Sequence, residues 1–357
     1  MTDLDQRIAS VLRERAEGET DTRRLLTASR RLGRRRQVRR RAATGTALAL
    51  VGVLGFVGVS GTDLGGLAGR LPWVASTPTV AAPVPPRADG VPGAAEQPDL
   101  VGSDPAVLHF GVDPGRARYL SWAVYGPQIE SVRFSVGGGQ SVLVEVARSA
   151  RLFNDMGIDG FPIRADVTRL TFDGTVRQVP GTSGGMVKAW EPAPGLYARA
   201  SMLGGDQNAL SAAVDAVRWN EARRCAGPLR LTTLPAGTTV ASCSVDVTTF
   251  PKGLNVQLTL VRERSATMWV RMVYGAEIAI KNEPGNRTVA GHPAYLYPDG
   301  TKLDRLDIPR THLTADFGWP YPGMEPPKGP GFTEADATTV LAGAQVAKNL
   351  TDPATWK

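Results

Sequence analysis

The sequence predicts an α+β protein: an N-terminal cytoplasmic helix and one transmembrane helix, then two tandem antiparallel-sheet units, each with a C-terminal helix. Three observations predict it. An uncharged run covers residues 42–59 directly behind an arginine-rich segment. Apolar residues alternate with polar ones around tight turns at two places in the remainder, as half-buried hairpins require. Each half then finishes on a stripe of apolar residues at helical spacing behind a capping residue.

The first residues read as a cytoplasmic helix, with Thr2 and Asp5 resembling a capping box and Leu4, Ile8, Val11 and Leu12 on one face. A second short helical stretch from Asp21, carrying Leu25, Leu26 and Leu32, leads into Arg30, Arg31, Arg34, Arg35, Arg36, Arg39, Arg40 and Arg41. The run that begins at Ala42 gives a helix about 27 Å long, close to the roughly 30 Å hydrocarbon thickness of a bilayer. Arginines flank only its N-terminal side, which places the N-terminus in the cytoplasm. A cleaved signal peptide is the rival reading, because Gly45, Gly52, Gly55 and Gly58 dilute the run. It is disfavoured by the long polar segment ahead of the run and by the lack of a small-x-small cleavage site. Gly45, Ala49 and Gly52 share one helix face, a spacing that would let a second copy approach and form a dimer.

Charge supports the same layout. Of 41 basic and 34 acidic residues, 13 and 6 precede Ala42, so the surplus of seven lies there and the remainder balances at 28 each. The basic segment therefore calls for anionic lipid headgroups as its partner, and nucleic acid is excluded as one. Arginine far outnumbers lysine, which fits a GC-rich bacterial genome. Residues 62–105 are rich in Pro, Ala, Gly and Val and read as a semi-extended tether.

In the first unit, residues 106–222, Val132, Phe134 and Val136 alternate into Gly137-Gly138-Gly139, and Val142, Val144 and Val146 resume the pattern. Extended segments are predicted at 167–172, 186–190 and 196–202, and Asp206 caps a helix carrying Leu210, Ala213, Val214 and Val217. The second unit, residues 223–357, repeats that order. Val256, Leu258 and Leu260 turn through 262–265 into 268–274. Strands follow at 287–290, 294–297, 303–308 and 312–317, and Thr333 with Asp336 caps a helix carrying Val340, Ala344, Ala347 and Leu350. The expected boundaries are thus a basic segment 1–41, a span 42–61, a linker 62–105 and units 106–222 and 223–357.

Cys225 and Cys243 both lie beyond the span, in an oxidising compartment, and the Leu234-Pro235-Ala236-Gly237 turn between them suits a structural disulfide. The loop 318–330 holds Trp319, Tyr321 and Met324 and is the candidate partner-binding loop. Gly181-Thr182-Ser183-Gly184-Gly185 is similar to the glycine-flanked serine of trypsin-like proteases, but His109 lacks the context such an enzyme needs. His292 and His312 have no third ligand at metal-binding spacing, and neither a phosphate loop nor a dinucleotide fingerprint occurs. Asp155, Asp159, Asp166, Asp304 and Asp307 are dispersed. No catalytic residue, metal ion or cofactor is therefore expected.

Taken together, the cytoplasmic helix, arginine run, single span, Pro/Ala linker and two-cysteine ectodomain resemble single-pass membrane-anchored proteins of actinobacteria. The layout is also similar to that of transmembrane anti-sigma regulators. It departs from them in its short interior segment and its lack of a His/Cys zinc-binding set. The resemblance implies an extracytoplasmic binding or sensor protein without catalytic activity, at the cell membrane, taking a protein or envelope ligand. An envelope hydrolase and a regulator acting through the cytoplasmic helix are the alternatives.

Overall fold

The computed structural model describes residues 81–126, 128–137, 139–155, 170–179, 184–204, 206–263, 266–275, 284–318 and 330–356, with the backbone alone at 154 and 155. Outside them lie the expected N-terminal helix, the basic cluster Arg30 to Arg41, the expected span with Gly45, Ala49 and Gly52, the first part of the linker (62–80), Ser183, and the loop residues Trp319, Tyr321 and Met324. Among the described residues no helix is long and apolar enough to cross a membrane.

The described residues are strand-rich with two substantial helices. Short strands β1 (Val107–Leu108) and β2 (Gly111–Val112) lead into a meander of β3 (Ala117–Tyr125), β4 (Ile129–Val136) and β5 (Gln140–Ala147). A one-turn helix, Leu152–Asp155, precedes β6 (Asp173–Gln178), β7 (Gly185–Ala193) and β8 (Leu196–Leu203). Helix Gln207–Ala216 follows, then the short strands β9 (Val217–Arg218) and β10 (Arg223–Arg224). The chain continues through β11 (Leu229–Leu231), a second meander of β12 (Thr238–Asp246), β13 (Gly253–Arg262) and β14 (Ala266–Gly275), and a two-strand turn of β15 (Arg287–Val289) and β16 (His292–Leu296). It ends with β17 (Lys302–Arg305), β18 (Thr311–Asp316), helix Glu334–Ala342 and β19 (Ala344–Val346).

Thirteen strands form one antiparallel sheet, in the order β15-β16-β17-β18-β14-β13-β12-β3-β4-β5-β8-β7-β6. The two predicted hairpins are present, with Val136 opposite Gln140 and Arg262 opposite Ala266. Gly139, at φ +84°, occupies a backbone region that a side chain would strain. The two meanders are not separate sheets. β3 pairs with β12, setting Val124 opposite Cys243 and Trp122 opposite Val245.

Both helices sit on the same face of this sheet. Opposed residues of an antiparallel pair project to the same side, so Trp122 and Val245 join Val132, Val144, Val256 and Val270 in one buried layer. Leu210, Ala213 and Ala216 cover it from the first helix, and Ala337, Val340 and Leu341 from the second. The caps form as expected: Asp206 Oδ1 accepts from Ala209 N at 2.7 Å, and Thr333 and Asp336 make a reciprocal capping box.

Both helices end sooner than their stripes suggest. The first stops at Ala216, and Val217 begins β9, which pairs with β2. The second stops at Ala342, and Ala344 enters β19, which pairs with β11. In each case strand pairing outweighs the apolar periodicity that would have extended the helix. The later part of the expected linker also differs from a free tether. Ala88, Ala94 and Val101 are buried, and Ala88 N, Ala94 N and Ala95 N donate to Ala222 O, His109 O and Trp219 O. Small apolar residues spaced along an extended segment give it enough contact to lie against the fold.

Cys225 and Cys243 form a disulfide with Cα atoms 6.1 Å apart. It fastens the segment after β10 to β12, one of the two strands at the middle of the sheet.

Candidate functional site

The face of the sheet away from the helices is where the two halves part company. One cross-strand row runs over most of it. From the centre outward in one direction it carries Ala123, Ser131, Glu145, Arg199 and Ala189. In the other it carries Ser244, Gln257, Arg271, Thr314 and Asp304, with Ala123 and Ser244 directly opposed.

On the first half this row is closed. Arg199 is fully buried and Glu145 nearly so, with Arg199 Nε donating to Glu145 Oε2 at 2.8 Å. Arg199 Nη1 donates to Phe153 O at 3.1 Å, and the guanidinium lies 5.1 Å from the centre of the Phe153 ring. Phe172 packs on Phe153 and on Tyr197. The one-turn helix thus places an aromatic cover over a neutralised pair, which is what a buried arginine and carboxylate require.

On the second half the same face is hollow. A groove of about 440 Å³ is lined from β13, β14, β17, β18 and the turn after β16 by Trp269, Arg271, Tyr297, Lys302, Asp304 and His312 among others. Strand alternation explains the convergence. Lys302 and Asp304 face the groove while Leu303 is buried beneath, and His312, Thr314 and Asp316 face it while Leu313 and Ala315 are buried.

Asp304 is the floor of this groove and is 1% exposed. Tyr297 Oη donates to its Oδ2 at 2.9 Å, and Thr314 Oγ1 donates to its Oδ1. His312 Nδ1 stands 3.9 Å from Oδ2, an ionic contact when the ring is protonated. With its proton committed to Asp304, the Thr314 oxygen still offers a lone pair. Lys302 Nζ pairs with Asp316 Oδ2 at 3.3 Å and lies 5.4 Å from the centre of the Tyr297 ring. Arg271 is exposed and makes no hydrogen bond or ion pair with the described residues. The groove therefore combines aromatic faces, hydrogen-bond donors and acceptors, and one uncommitted cation.

Comparison with protein-family models, with curated proteins and with solved structures finds no match, so function has to be read from the geometry.

Other expected sites fare differently. His109, the histidine nearest to a protease context, is buried against Glu130, with Nδ1 to Oε1 at 2.6 Å, while Ser183 lies outside the described residues. His292 and His312 do not share a site: His292 Nδ1 is 3.0 Å from Asp307 Oδ2, and Asp307 also takes two hydrogen bonds from Arg305. Among the described residues no group of three His, Cys, Asp or Glu side chains could hold a metal ion. A second hollow of about 330 Å³, beside β11 and β19, is lined by Arg230, Lys348 and Trp356 and brings no acid and base together.

Trp269, Arg271, Lys302 and Tyr297, and the pairing of Asp304 with His312, are groove features that the sequence patterns above do not single out. A signal for them existed. Polar residues at 302 and 304 and at 312, 314 and 316, with apolar ones between, mark a polar sheet face. Nothing in the sequence gave the order in which these strands pair.

Proposed function

We propose that this chain is a single-pass, membrane-anchored extracytoplasmic binding protein without catalytic activity, whose ligand occupies the groove on β13, β14, β17 and β18. In this reading the ectodomain comprises two related α+β units, residues 106–222 and 223–357, each with a sheet and a C-terminal helix. Residues 42–61 cross the membrane and the arginine cluster holds the N-terminus inside. The order of pairing supports a duplication. β3, β4, β5, β8, β7 and β6 run outward from the centre just as β12, β13, β14, β18, β17 and β16 do.

One observation carries the binding assignment. At matching places on the cross-strand row, one half holds a covered Glu145–Arg199 pair and the other holds Arg271 and Thr314 in an open groove, with Asp304 one strand further out. Capping one face with aromatic residues and leaving its counterpart open and polar fits retention of a single binding site in the second unit. Trp269 and Tyr297 offer ring faces, and the surrounding polar groups offer hydrogen bonds in both directions, a combination suited to hydroxylated ligands. The test is titration of the full-length protein in detergent with size-fractionated envelope saccharides, followed by calorimetry. Saturable binding that is lost in Trp269→Ala with unchanged melting is expected. Binding unaffected by that substitution would refute the assignment.

The hydrolase alternative draws on the Asp304–His312 contact, an acid and a base in one groove. Against it, the two nearby hydroxyls of Tyr297 and Thr314 are donating to Asp304 instead of to His312. Release of reducing ends from the bound saccharide, lost in His312→Gln, would favour hydrolysis over binding.

A further inference from the structure

Resting on the binding assignment above, we infer that the groove selects an acidic saccharide, its carboxylate held by Arg271 and its ring stacked on Trp269. Charge within the groove is the starting point. Asp304 is enclosed by the Tyr297 and Thr314 hydroxyls with His312 beside it, and Asp316 is matched by Lys302. That leaves Arg271 as the groove cation with no partner among the described residues. An arginine fork left open toward solvent is shaped for a planar carboxylate, which it can grip through two parallel N–H bonds.

Position supplies the rest. Arg271 and Trp269 are two residues apart on β14, so their side chains leave the same face about 7 Å apart. That spacing matches a carboxylate carried on the edge of a six-membered sugar ring whose C–H face lies on the indole. Trp269 is half-buried, fixed on its strand opposite Thr259 and Asp316, and so presents a preorganised platform. Across the groove, the Thr314 hydroxyl oxygen accepts from a ring hydroxyl. A neutral sugar would satisfy the platform and the acceptors and leave Arg271 unused. A simple inorganic anion would use Arg271 and leave the platform empty.

The experiment compares two probes by calorimetry on the full-length protein in detergent: a galacturonic acid trisaccharide and the neutral galactose trisaccharide of the same linkage. The acidic sugar should bind at least about tenfold more tightly, as a charge-assisted hydrogen bond warrants. Arg271→Gln should erase that difference without changing the melting curve, and added salt should narrow it. Equal affinity for the two sugars, both lost in Trp269→Ala, would overturn the acidic preference and leave the binding assignment standing. Displacement of the acidic sugar by acetate at the same concentration would overturn the saccharide platform. Failure of both sugars to bind a protein that melts normally would overturn the inference, and failure of the fractionated envelope saccharides as well would remove the assignment beneath it.

Discussion

Glu130 illustrates how much a single side chain holds in this fold. Its carboxylate is fully buried and accepts from Gly102 N at 2.8 Å and His109 N at 2.5 Å while meeting the His109 ring. Removing it strands two backbone donors and an imidazole without solvent. Glu130→Ala should therefore cost about 3 kcal/mol, measured by urea denaturation, and should free the segment 102–109 to exchange its amides. Tyr119 does comparable work on the neighbouring turn, accepting from Val112 N at 2.6 Å and donating to Val112 O at 3.0 Å. Burial pushes its phenol up to about 12, with the Val112 backbone acting in the opposite direction. The folded state therefore keeps a proton that the unfolded chain gives up near 10, so this stability is whole below pH 10 and is lost as pH rises toward 12. Stability should drop by roughly 2 to 3 kcal/mol across that interval, and Tyr119→Phe should flatten the drop while lowering stability at neutral pH.

At this scale the sequence was only partly readable. His109 stood out as a rare residue, yet its partner lies 21 positions away on β4. Asp304 and His312 were both visible, but a carboxylate becomes a groove floor only once β17 lies beside β18 and Tyr297 folds back over it.

Among the elements, those with local causes were legible. Gly137 to Gly139 between two alternating runs specified a hairpin, and Asp206 and Thr333 with Asp336 marked both helix starts. The strands β3 and β12 left little trace, although they join the halves. β3 has buried residues in both phases, Leu120 and Ala123 as well as Tyr119, Trp122 and Val124, and a register shift between Tyr119 and Ser121 breaks its alternation. β12 is mostly Thr, Ser and Val, with its own shift between Val240 and Ser242. Such strands are specified by their neighbours rather than by their own pattern.

The disulfide acts on this same central region. Cys225 and Cys243 are 18 residues apart in sequence, and closing a loop of that size stabilises by about 3 kcal/mol in the chain-entropy account. Reduction, or Cys225→Ala with Cys243→Ala, should lower the urea midpoint correspondingly. Because Cys243 sits on β12, amide protection should fall first at the β12–β3 pairing.

For the whole molecule, the sheet is continuous but its two faces have different fates. On one side the helices lie over the outer strands of both halves. On the other, Phe153 and its aromatic neighbours cover the first half while the second keeps a groove with Trp269, Arg271 and Asp304. That asymmetry depends on tertiary placement of a cover segment, so it could not be read from two similar strand-and-helix patterns. The anchor and linker expected from the charge distribution would present this groove outside the membrane. The most direct measurement is hydrogen–deuterium exchange on the full-length protein, with and without a saturating envelope saccharide. Added protection confined to β13, β14, β17 and β18 is expected, with β4, β5 and β8 unchanged. Protection centred instead on the first half, or on neither half despite measured binding, would contradict it.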